Sequence, residues 1–295
     1  MAAETSLQRF LNFYQQWYAP EQLSRLSVVT GKALVFPVES EKGKGESGKW
    51  SALEWFVQAR WVGAGDLASI DKNSSGYYVM DAASLLSVLA LDPQPGESVA
   101  DLCAAPGGKT IAIAALMKGR GRLLASDLSA DRVKRLRYNL RRLQVPESAN
   151  GWTLDTIHAS GNVVSQQFSG QFDKVLVDAP CSSEAHVMAD PKELKKWSGS
   201  KSSLLAKRQR KLIQSAIKLL KPGGRLVYAT CSISPLENQG VIEFMLKKFS
   251  QQLQYVPWQS PVGTALGYGV SVLPWDGGMG PGYLCVLEKR HDKIA

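Results

Sequence analysis

The sequence predicts an α/β protein in which helices cover both faces of a mostly parallel sheet. From Asp92 onward, short apolar runs bounded by turn residues alternate with longer segments of helical periodicity, which is the pattern of such a sheet. A turn of small residues, DLCAAPGGKT at 101–110, follows the first of these runs and opens a helix, as in Rossmann-like folds. The 295 residues are enough for one such domain, expected over 77–295, and a small N-terminal region over 1–76.

The N-terminal region is predicted to be helical and rich in aromatic residues. Residues 1–90 hold twelve of the 25 aromatic residues of the chain. Five of them recur at helical spacing in QRFLNFYQQWY and predict an amphipathic helix: Phe10, Phe13, Tyr14, Trp17 and Tyr18. The segment ESEKGKGESGK, at 39–49, has no apolar residue and is predicted to be a flexible loop.

The sheet is expected to have seven strands. Five apolar runs are predicted to be its parallel strands, at 98–103, 122–127, 153–158, 174–178 and 225–230. DRVKRLRYNLRRL, at 131–143, predicts a helix with an apolar stripe on one face and six Arg or Lys side chains on the other. The string SVLPWDGGMGPGYLCVLEKR is typical of a strand, a Gly-rich turn and a final strand, so we expect a C-terminal antiparallel hairpin.

Composition argues against several classes of protein. No apolar stretch approaches the ~20 residues that cross a bilayer, so no membrane span is expected. The four cysteines are scattered and lack C-x-x-C spacing, which predicts thiols in a reducing compartment. The three histidines lie far apart in the sequence and form no H-x₃₋₅-H pair, so no metal site is expected.

The excess of positive charge belongs to the C-terminal part. Residues 1–90 hold eight Lys and Arg against nine Asp and Glu, whereas residues 91–295 hold 27 against 17. A polyanionic partner would explain this asymmetry, and a solvated basic face is the alternative. The segment 192–211 has eight basic residues and one acidic residue, so it is a candidate nucleic-acid surface or an ordinary basic helix start. Its candidate contacts are Lys195, Lys196, Trp197, Lys207, Arg208 and Arg210.

Two cysteines each follow a predicted strand directly. Cys181 lies in DAPCSS and Cys231 in YATCSISPLENQ, and the carboxyl ends of parallel strands meet over one crevice. Paired thiols suit cytosine chemistry, because carbon 5 becomes nucleophilic only after a thiolate has added to carbon 6. One cysteine would attack and the other would assist release. A single cysteine beside a strand is more often a small buried residue, and Cys103 and Cys285 fit that description.

The turn at 101–110 is a candidate adenosine site. Its small residues let the backbone approach a ligand, and the helix that follows offers unpaired N–H groups. Asp127 follows the next predicted strand, where an acid can accept hydrogen bonds from ribose hydroxyls. The G-x-G-x-x-G spacing is absent, which disfavours a dinucleotide. A tight turn with a surface aspartate is the structural alternative.

The strings CAAPGGK, DAPC and ATCSISPLEN resemble the signature motifs of the Sun-domain family (Fmu/Sun, NSUN-type) of S-adenosylmethionine-dependent RNA cytosine-5 methyltransferases. The resemblance covers roughly 77–289, and YYVMDAASLLSVLAL is most similar to the short branch that includes the mitochondrial rRNA and tRNA members. It implies a class I methyltransferase fold, S-adenosylmethionine as cofactor, and 5-methylcytosine in RNA, rRNA first, as product.

The resemblance also assigns roles to residues. It implies that Cys231 attacks, Cys181 serves release, and Asp178 lies at the cofactor and base pocket, where it could hydrogen-bond the cytosine edge. Asp127 would bind the ribose. Ser160, in HASGN, stands where the family usually carries an aspartate that reaches the adenine amino group, so cofactor binding is expected to be retained but weakened. The cofactor turn would comprise Cys103, Ala104, Ala105, Pro106, Gly107, Gly108 and Lys109.

Several alternatives stay open at this point. The chain lacks the extended N-terminal RNA-binding domain of longer bacterial members, so a protein partner that aids RNA recognition is one expectation. Other functions are a catalytically silent RNA-binding ribosome-assembly factor, a tRNA cytosine-5 methyltransferase, and a DNA cytosine-5 methyltransferase, in which the cysteine of the PC string attacks. An intracellular location is expected, either the mitochondrial matrix or a bacterial-type cytoplasm.

Overall fold

The computed structural model describes residues 5–26, 28, 31–37 and 50–291, with the backbone alone at 276–277. The loop predicted at 39–49 lies outside these residues. In the described ranges, none of the helices is both long and apolar enough to span a bilayer. The same ranges contain no cluster of three or more His, Cys, Asp or Glu side chains placed to hold a metal ion.

The N-terminal region combines two helices with a small antiparallel sheet. Helix α1 spans Ser6–Tyr14 and α2 spans Pro20–Ser24. The predicted amphipathic helix is present but ends at Tyr14, so Trp17 and Tyr18 lie beyond it. Its N-cap is Thr5, whose side chain accepts a hydrogen bond from the backbone N–H of Gln8. The sheet contains β1 (Lys32–Val35), β2 (Ser51–Ala52), β3 (Ala59–Val62) and β4 (Tyr78–Met80), in the order β2-β3-β1-β4.

This small sheet corrects the helical prediction for residues 1–76. Its strands have two to four residues each, too short for an alternating pattern to stand out in the sequence. Strand β4 pairs with β1 although it lies beyond residue 76, so the sheet crosses the expected boundary between the two regions. A short 3-10 helix, Ala64–Ser69, connects β3 to β4.

The larger sheet confirms the predicted mostly parallel architecture. Each of the five predicted parallel strands is present to within about five residues at either end. Among the described residues this sheet has ten strands rather than the expected seven, and four of them have only two or three residues. Its strands are β5 (Ser98–Leu102), β6 (Gly121–Asp127), β7 (Ser148–Ala149), β8 (Trp152–His158), β9 (Phe172–Asp178), β10 (Leu220–Thr230), β11 (Leu253–Tyr255), β12 (Thr264–Ala265), β13 (Val270–Val272) and β14 (Gly282–Lys289).

The strand order places the two cysteine-bearing loops side by side. The order is β12-β13-β14-β10-β9-β5-β6-β8-β7, with β11 also paired to β14. Strands β9 and β10 are adjacent and parallel, and β5 lies on the other side of β9. Strand β14 runs antiparallel to both β10 and β13, so the predicted C-terminal hairpin is confirmed. A ligand over the carboxyl ends of β5, β9 and β10 would meet residues from all three loops.

Helices cover both faces of this sheet. One hydrophobic core contains residues of α3, α4 and α5, and the other contains residues of α6, α9 and α10. The predicted stripe of the 131–143 helix is buried on the first face, at Val133, Leu136, Leu140 and Leu143. The helices are α3 (Ala82–Leu91), α4 (Gly108–Met117), α5 (Ala130–Arg142), α6 (Gly161–Gln167), α7 (Glu184–Ala189), α8 (Pro191–Lys196), α9 (Ser200–Leu219), α10 (Gln239–Lys248) and α11 (Pro274–Gly277).

Candidate active site

The structure brings Cys181 and Cys231 together. Ala179, just past β9, donates its backbone N–H to the carbonyl of Ala229 in β10 at 2.9 Å, which aligns the two strand ends. Beyond that point the Sγ atoms of Cys181 and Cys231 lie 3.1 Å apart. Both cysteines are free thiols; Cys231 is exposed and Cys181 is half-buried. Two thiols that are 50 residues apart in the sequence therefore form one cluster.

The two thiols differ in acidity. A hydrogen bond from Cys181 lowers the pKa of Cys231, and the Ser183 hydroxyl, 3.2 Å from the Cys231 Sγ, lowers it further. The same contact with Cys231 raises the pKa of Cys181, to which burial adds. Ionising Cys181 would remove its donor and place a second negative charge beside the first. Cys231 is thus the thiol that ionises more readily.

An ion pair lies beside the Cys231 thiol. Lys109 Nζ is 2.7 Å from Asp178 Oδ2, and both residues line one small cavity together with Cys231, Thr230 and Tyr283. Burial lowers the pKa of Lys109, but Asp178 more than offsets this, so the pKa is raised above its usual value. Lys109 therefore stays protonated, and its charge helps to lower the pKa of Cys231. Sequence reasoning had selected Lys109 and Asp178 without predicting that they pair.

The turn after β5 is compact, and both its backbone conformation and a neighbouring side chain require small residues. Cys103 has a φ of 75°, and the backbone N–H groups of Cys103 and Ala104 both donate to the Ser126 carbonyl at 2.9 Å. Gly107 precedes α4 with a φ of 115°, a conformation that L side chains rarely adopt. A Cβ at Gly108 would lie 2.7 Å from Cε1 of Tyr78. The backbone of this turn therefore forms a close-fitting cradle at the end of the sheet.

Asp127 ends β6 and fastens the cradle to the neighbouring strand. Its Oδ2 accepts a hydrogen bond from the Ala105 N–H at 3.3 Å and lies 3.2 Å from a guanidinium nitrogen of Arg132. Its Oδ1 accepts from the Ser129 N–H at 3.0 Å. Each carboxylate oxygen has two lone pairs, so Asp127 keeps acceptor capacity for a ligand hydroxyl.

Ser160 lies just past β8, next to the end of β6. It is the N-cap of α6, and its hydroxyl accepts a hydrogen bond from the Val163 N–H at 3.4 Å. The residue pair Asp127 and His158 is in register across the two strands. Ser160 therefore occupies the expected strand end, but its side chain already serves the helix.

The five basic residues predicted to bind nucleic acid fall into three groups. Lys195, Lys207 and Arg208 are exposed on α8 and α9. Lys196, also exposed, lies 3.2 Å from Glu193 and forms a surface ion pair with it. Arg210 is half-buried with its guanidinium 4.0 Å from the ring centre of Phe244, so part of its side chain is already engaged.

The prediction that Trp197 contacts nucleic acid is wrong. Its side chain is only 6% exposed, and its ring centre lies 5.0 Å from that of Phe10 and 5.4 Å from that of Phe13. A base cannot stack on a ring that α1 covers. The burial depends on residues more than 180 positions earlier in the sequence, which is why the local basic context suggested an exposed ring.

A basic cavity between the N-terminal sheet and α5 was not predicted. Its volume is about 590 Å³, and four cationic side chains line it: Lys32, Lys72, Arg135 and Arg142. Asp81 also lines it and pairs with Lys32 at 3.1 Å. The sequence had indicated a basic face on the 131–143 helix, but only the fold shows which cations of the N-terminal region join it.

Two buried glutamates were also missed. Glu184 and Glu237 are fully buried. The Ser182 hydroxyl lies within hydrogen-bonding distance of both carboxylates and can donate to either. Burial raises the pKa of Glu237. Glu237 belongs to the ATCSISPLEN string and could have been singled out, whereas nothing in the sequence marks Glu184.

Comparisons with known proteins show similarity to ribosomal RNA methyltransferases. The model of the family described as 16S rRNA methyltransferase RsmB/F matches residues 88–287. The ribosomal RNA small subunit methyltransferase F of Enterobacter sp. (strain 638) is 39% identical over 217 residues, which cover 70% of this chain and 44% of that protein. The chain thus spans less than half the length of this curated relative.

Two solved structures have the same fold. A methyltransferase homolog protein from Pyrococcus horikoshii superposes with a TM-score of 0.75 at 23% identity, covering 98% of this chain and 100% of the other. The structure of NSun6 from Pyrococcus horikoshii with SFG gives a TM-score of 0.80 at 18% identity, covering 99% of each chain. At these identities the likeness concerns the fold.

Proposed function

This chain belongs to the 16S rRNA methyltransferase RsmB/F family, and on that premise we propose that it methylates carbon 5 of a cytosine in RNA through a covalent bond to Cys231. The observation that carries the proposal is the 3.1 Å separation of the Cys181 and Cys231 sulfur atoms at the ends of adjacent parallel strands. Two thiols serve a reaction in which one adds to the base and the other assists its departure.

The difference in acidity supports the assignment of roles. Cys231, whose pKa is lowered, supplies the thiolate. Its Sγ adds to carbon 6 of the cytosine, the C5=C6 double bond opens, and carbon 5 becomes the nucleophile. After methylation carbon 5 loses its proton to solvent, the C6–S bond breaks, and the double bond re-forms. Cys181 keeps its proton and hydrogen-bonds the departing Sγ, which stabilises the thiolate that leaves.

Asp178 and Lys109 are proposed to hold the base. Asp178 is partly exposed in the cavity that Cys231 lines, so its carboxylate can accept a hydrogen bond from the cytosine edge and stabilise a protonated ring. Lys109 fixes that carboxylate from the side of the cofactor turn at 2.7 Å. The pair therefore positions carbon 6 over the thiolate and balances charge as the adduct forms.

S-adenosylmethionine is the proposed cofactor, and when bound it supplies the methyl group. The residues fit such a group: the cradle at 103–109 brings the backbone close, and Oδ1 of Asp127, which accepts one hydrogen bond, retains acceptor capacity for a ribose hydroxyl. Ser160 would offer only a weak acceptor because its hydroxyl caps α6. Membership of the family, together with the fold shared with NSun6 solved with SFG, supports this choice.

Ribosomal RNA of the small subunit is the proposed substrate, following the names of the family and of its curated relatives. The exposed cations Lys195, Lys196, Lys207 and Arg208, and the basic cavity beside α5, would bind its phosphates. The relatives are bacterial, which favours a bacterial-type cytoplasm over the mitochondrial matrix as the place of action.

The proposal is tested with purified protein, small-subunit rRNA and S-adenosylmethionine, with bisulfite sequencing to locate modified cytosines. We expect one or a few cytosines to be methylated, no methylation by Cys231→Ala, and a stable protein–RNA adduct with Cys181→Ala. Calorimetry that detects no S-adenosylmethionine binding, with RNA binding intact, would instead assign a silent ribosome-assembly role. Loss of the adduct in Cys181→Ala but not in Cys231→Ala would reverse the roles of the two cysteines, as in DNA cytosine-5 enzymes. Methylation of tRNA alone would show that the substrate is tRNA rather than rRNA.

A further inference from the structure

The loops that carry the two thiols meet on one buried carboxylate. Glu184 lies three residues after Cys181, and its Oε2 accepts a hydrogen bond from the backbone N–H of Ile233 at 3.1 Å. Its Oε1 accepts from the Ser232 hydroxyl at 3.0 Å. Ser232 and Ile233 directly follow Cys231. Glu184 therefore ties the loop after β9 to the loop after β10.

A second buried carboxylate, that of Glu237, links the same two loops. Glu237 Oε2 accepts from the Ser182 backbone N–H at 3.1 Å and from the Gln209 amide at 2.8 Å. The same Gln209 amide donates to the carbonyl of Pro180, next to Cys181, at 3.0 Å. With every one of these side chains buried, the hydrogen bonds are shielded from water and fix the two loops closely.

The N-terminal helix completes this network from outside the catalytic domain. Tyr14, the last residue of α1, donates its hydroxyl to Glu184 Oε1 at 2.5 Å across 170 residues of sequence. Tyr18 donates its hydroxyl to the Ile233 carbonyl at 2.7 Å. The Tyr14 ring is itself fully buried, with Phe10 at a ring-centre distance of 4.8 Å and Trp197 at 5.9 Å.

From these contacts we propose that Tyr14 is a positioning residue: through Glu184 it sets the distance between the two sulfur atoms and so the reactivity of Cys231. The hydroxyl touches neither thiol. It satisfies a buried carboxylate that restrains the residues following each of them, and without it that carboxylate would lose a donor in a water-poor setting. The N-terminal region would then be part of the catalytic machinery rather than only a platform for RNA.

The test compares Tyr14→Phe with the wild type in two independent measurements. The first is the pH dependence of alkylation of Cys231 by iodoacetamide, followed by peptide mass spectrometry, which requires no RNA. We expect the profile of Tyr14→Phe to move to higher pH, because a longer sulfur–sulfur distance weakens the hydrogen bond that lowers the Cys231 pKa. The second is methyl transfer, in which we expect kcat to fall on the order of 10- to 100-fold with little change in KM for RNA.

The matched control is Tyr77→Phe. Tyr77 directly precedes β4 of the small N-terminal sheet, its ring packs against Phe36 and Trp50, and it lines neither the thiol site nor the basic cavity. We expect its alkylation profile and its kcat to match the wild type. Melting temperatures and S-adenosylmethionine affinity are measured for every variant, so a folding defect is seen directly.

These measurements distinguish a positioning role of Tyr14 from a purely structural one. A lower melting temperature for Tyr14→Phe with an unchanged alkylation profile would give Tyr14 a purely structural role and overturn the inference. If Tyr14→Phe does not fold, Tyr18→Phe decides the matter, since it must shift the profile in the same direction. The methyl-transfer measurement rests on the proposed function, but the alkylation measurement does not. A wild type that fails to methylate therefore counts against the function alone.

Discussion

Lys109 and Asp178 form an ion pair at 2.7 Å beside the Cys231 thiol, although the lysine comes from the turn after β5 and the aspartate ends β9. Their charges act on the thiol with opposite signs: Lys109 lowers the pKa of Cys231 and Asp178 raises it. Although the ion pair carries no net charge, substituting one partner at a time should shift the pKa of Cys231 in opposite directions.

Asp178→Asn is expected to make Cys231 more acidic and the protein less active. Removing the carboxylate leaves the Lys109 charge unopposed, so Cys231 should react with iodoacetamide at lower pH than in the wild type. Methyl transfer should nevertheless fall, because the variant loses the acceptor proposed for the cytosine edge. Lys109→Met should shift alkylation to higher pH. Shifts of the same sign in both variants would contradict the pair.

Cys181→Ala is expected to raise the pKa of Cys231. The substitution removes the hydrogen bond that contributes most to lowering that pKa, so half-maximal alkylation of Cys231 should move to higher pH. Cys181→Ser is the matched variant, because its hydroxyl can still donate, and it should stay closer to the wild type. An alkylation profile that is the same in all three proteins would mean that the two sulfur atoms do not share a hydrogen bond.

Trp197→Ala is expected to destabilise the fold rather than weaken a stacking contact with RNA. The ring fills a buried cluster with Phe10, Phe13 and Tyr14, and truncation of such a side chain costs about 3–5 kcal/mol. Thermal or chemical unfolding measures this directly, and Trp197→Phe should lose much less. If Trp197→Ala kept its stability but bound RNA more weakly, the ring would have to be accessible to RNA rather than buried.

The double variant Lys207→Ala, Arg208→Ala is expected to bind RNA more weakly and with a smaller dependence on salt. Each lost phosphate contact reduces the slope of log affinity against log salt by about 0.7–0.9. Lys247→Ala, Lys248→Ala removes the same charge from exposed positions on α10 and serves as the control. Equal losses in both double variants, measured by filter binding at several salt concentrations, would indicate attraction by net charge alone.

Asp101→Asn is expected to flatten the pH dependence of stability. Burial raises the pKa of Asp101 to about 7 from an ordinary value of 3.8, with Thr110 donating a hydrogen bond to one oxygen at 2.7 Å. Between pH 3.8 and about 7, the folded state therefore keeps a proton on Asp101 that the unfolded state has lost. The contribution of this residue to the free energy of unfolding is full below pH 3.8 and is lost as the pH rises through about 7. Denaturant unfolding of wild type and variant at several pH values would show whether their difference changes over this interval.

Much of the central domain could be predicted because its chemistry is local. A buried parallel strand is a continuous apolar run, and the cysteines that follow β9 and β10 lie in short strings, DAPC and YATC, that can be recognised without the fold. Other features depend on distant partners. Trp197 is covered by α1, Glu184 becomes important only where Tyr14 reaches it, and strands as short as β1 to β4 have no periodicity to detect.

Strand β14 lies between β10 and β13, although it is the last strand of the described chain to be synthesised. Until residues 282–289 emerge from the ribosome, β10 has an unpaired edge, and the loop bearing Cys231 lacks Tyr283, which lines the same cavity. At ~5–20 residues per second, this interval lasts for seconds after Cys231 itself has been made. A nascent chain therefore carries Cys231, Cys181 and Lys109 before Tyr283 completes the cavity that they line or adjoin, and truncation before residue 282 should leave that cavity open and the edge of β10 unpaired.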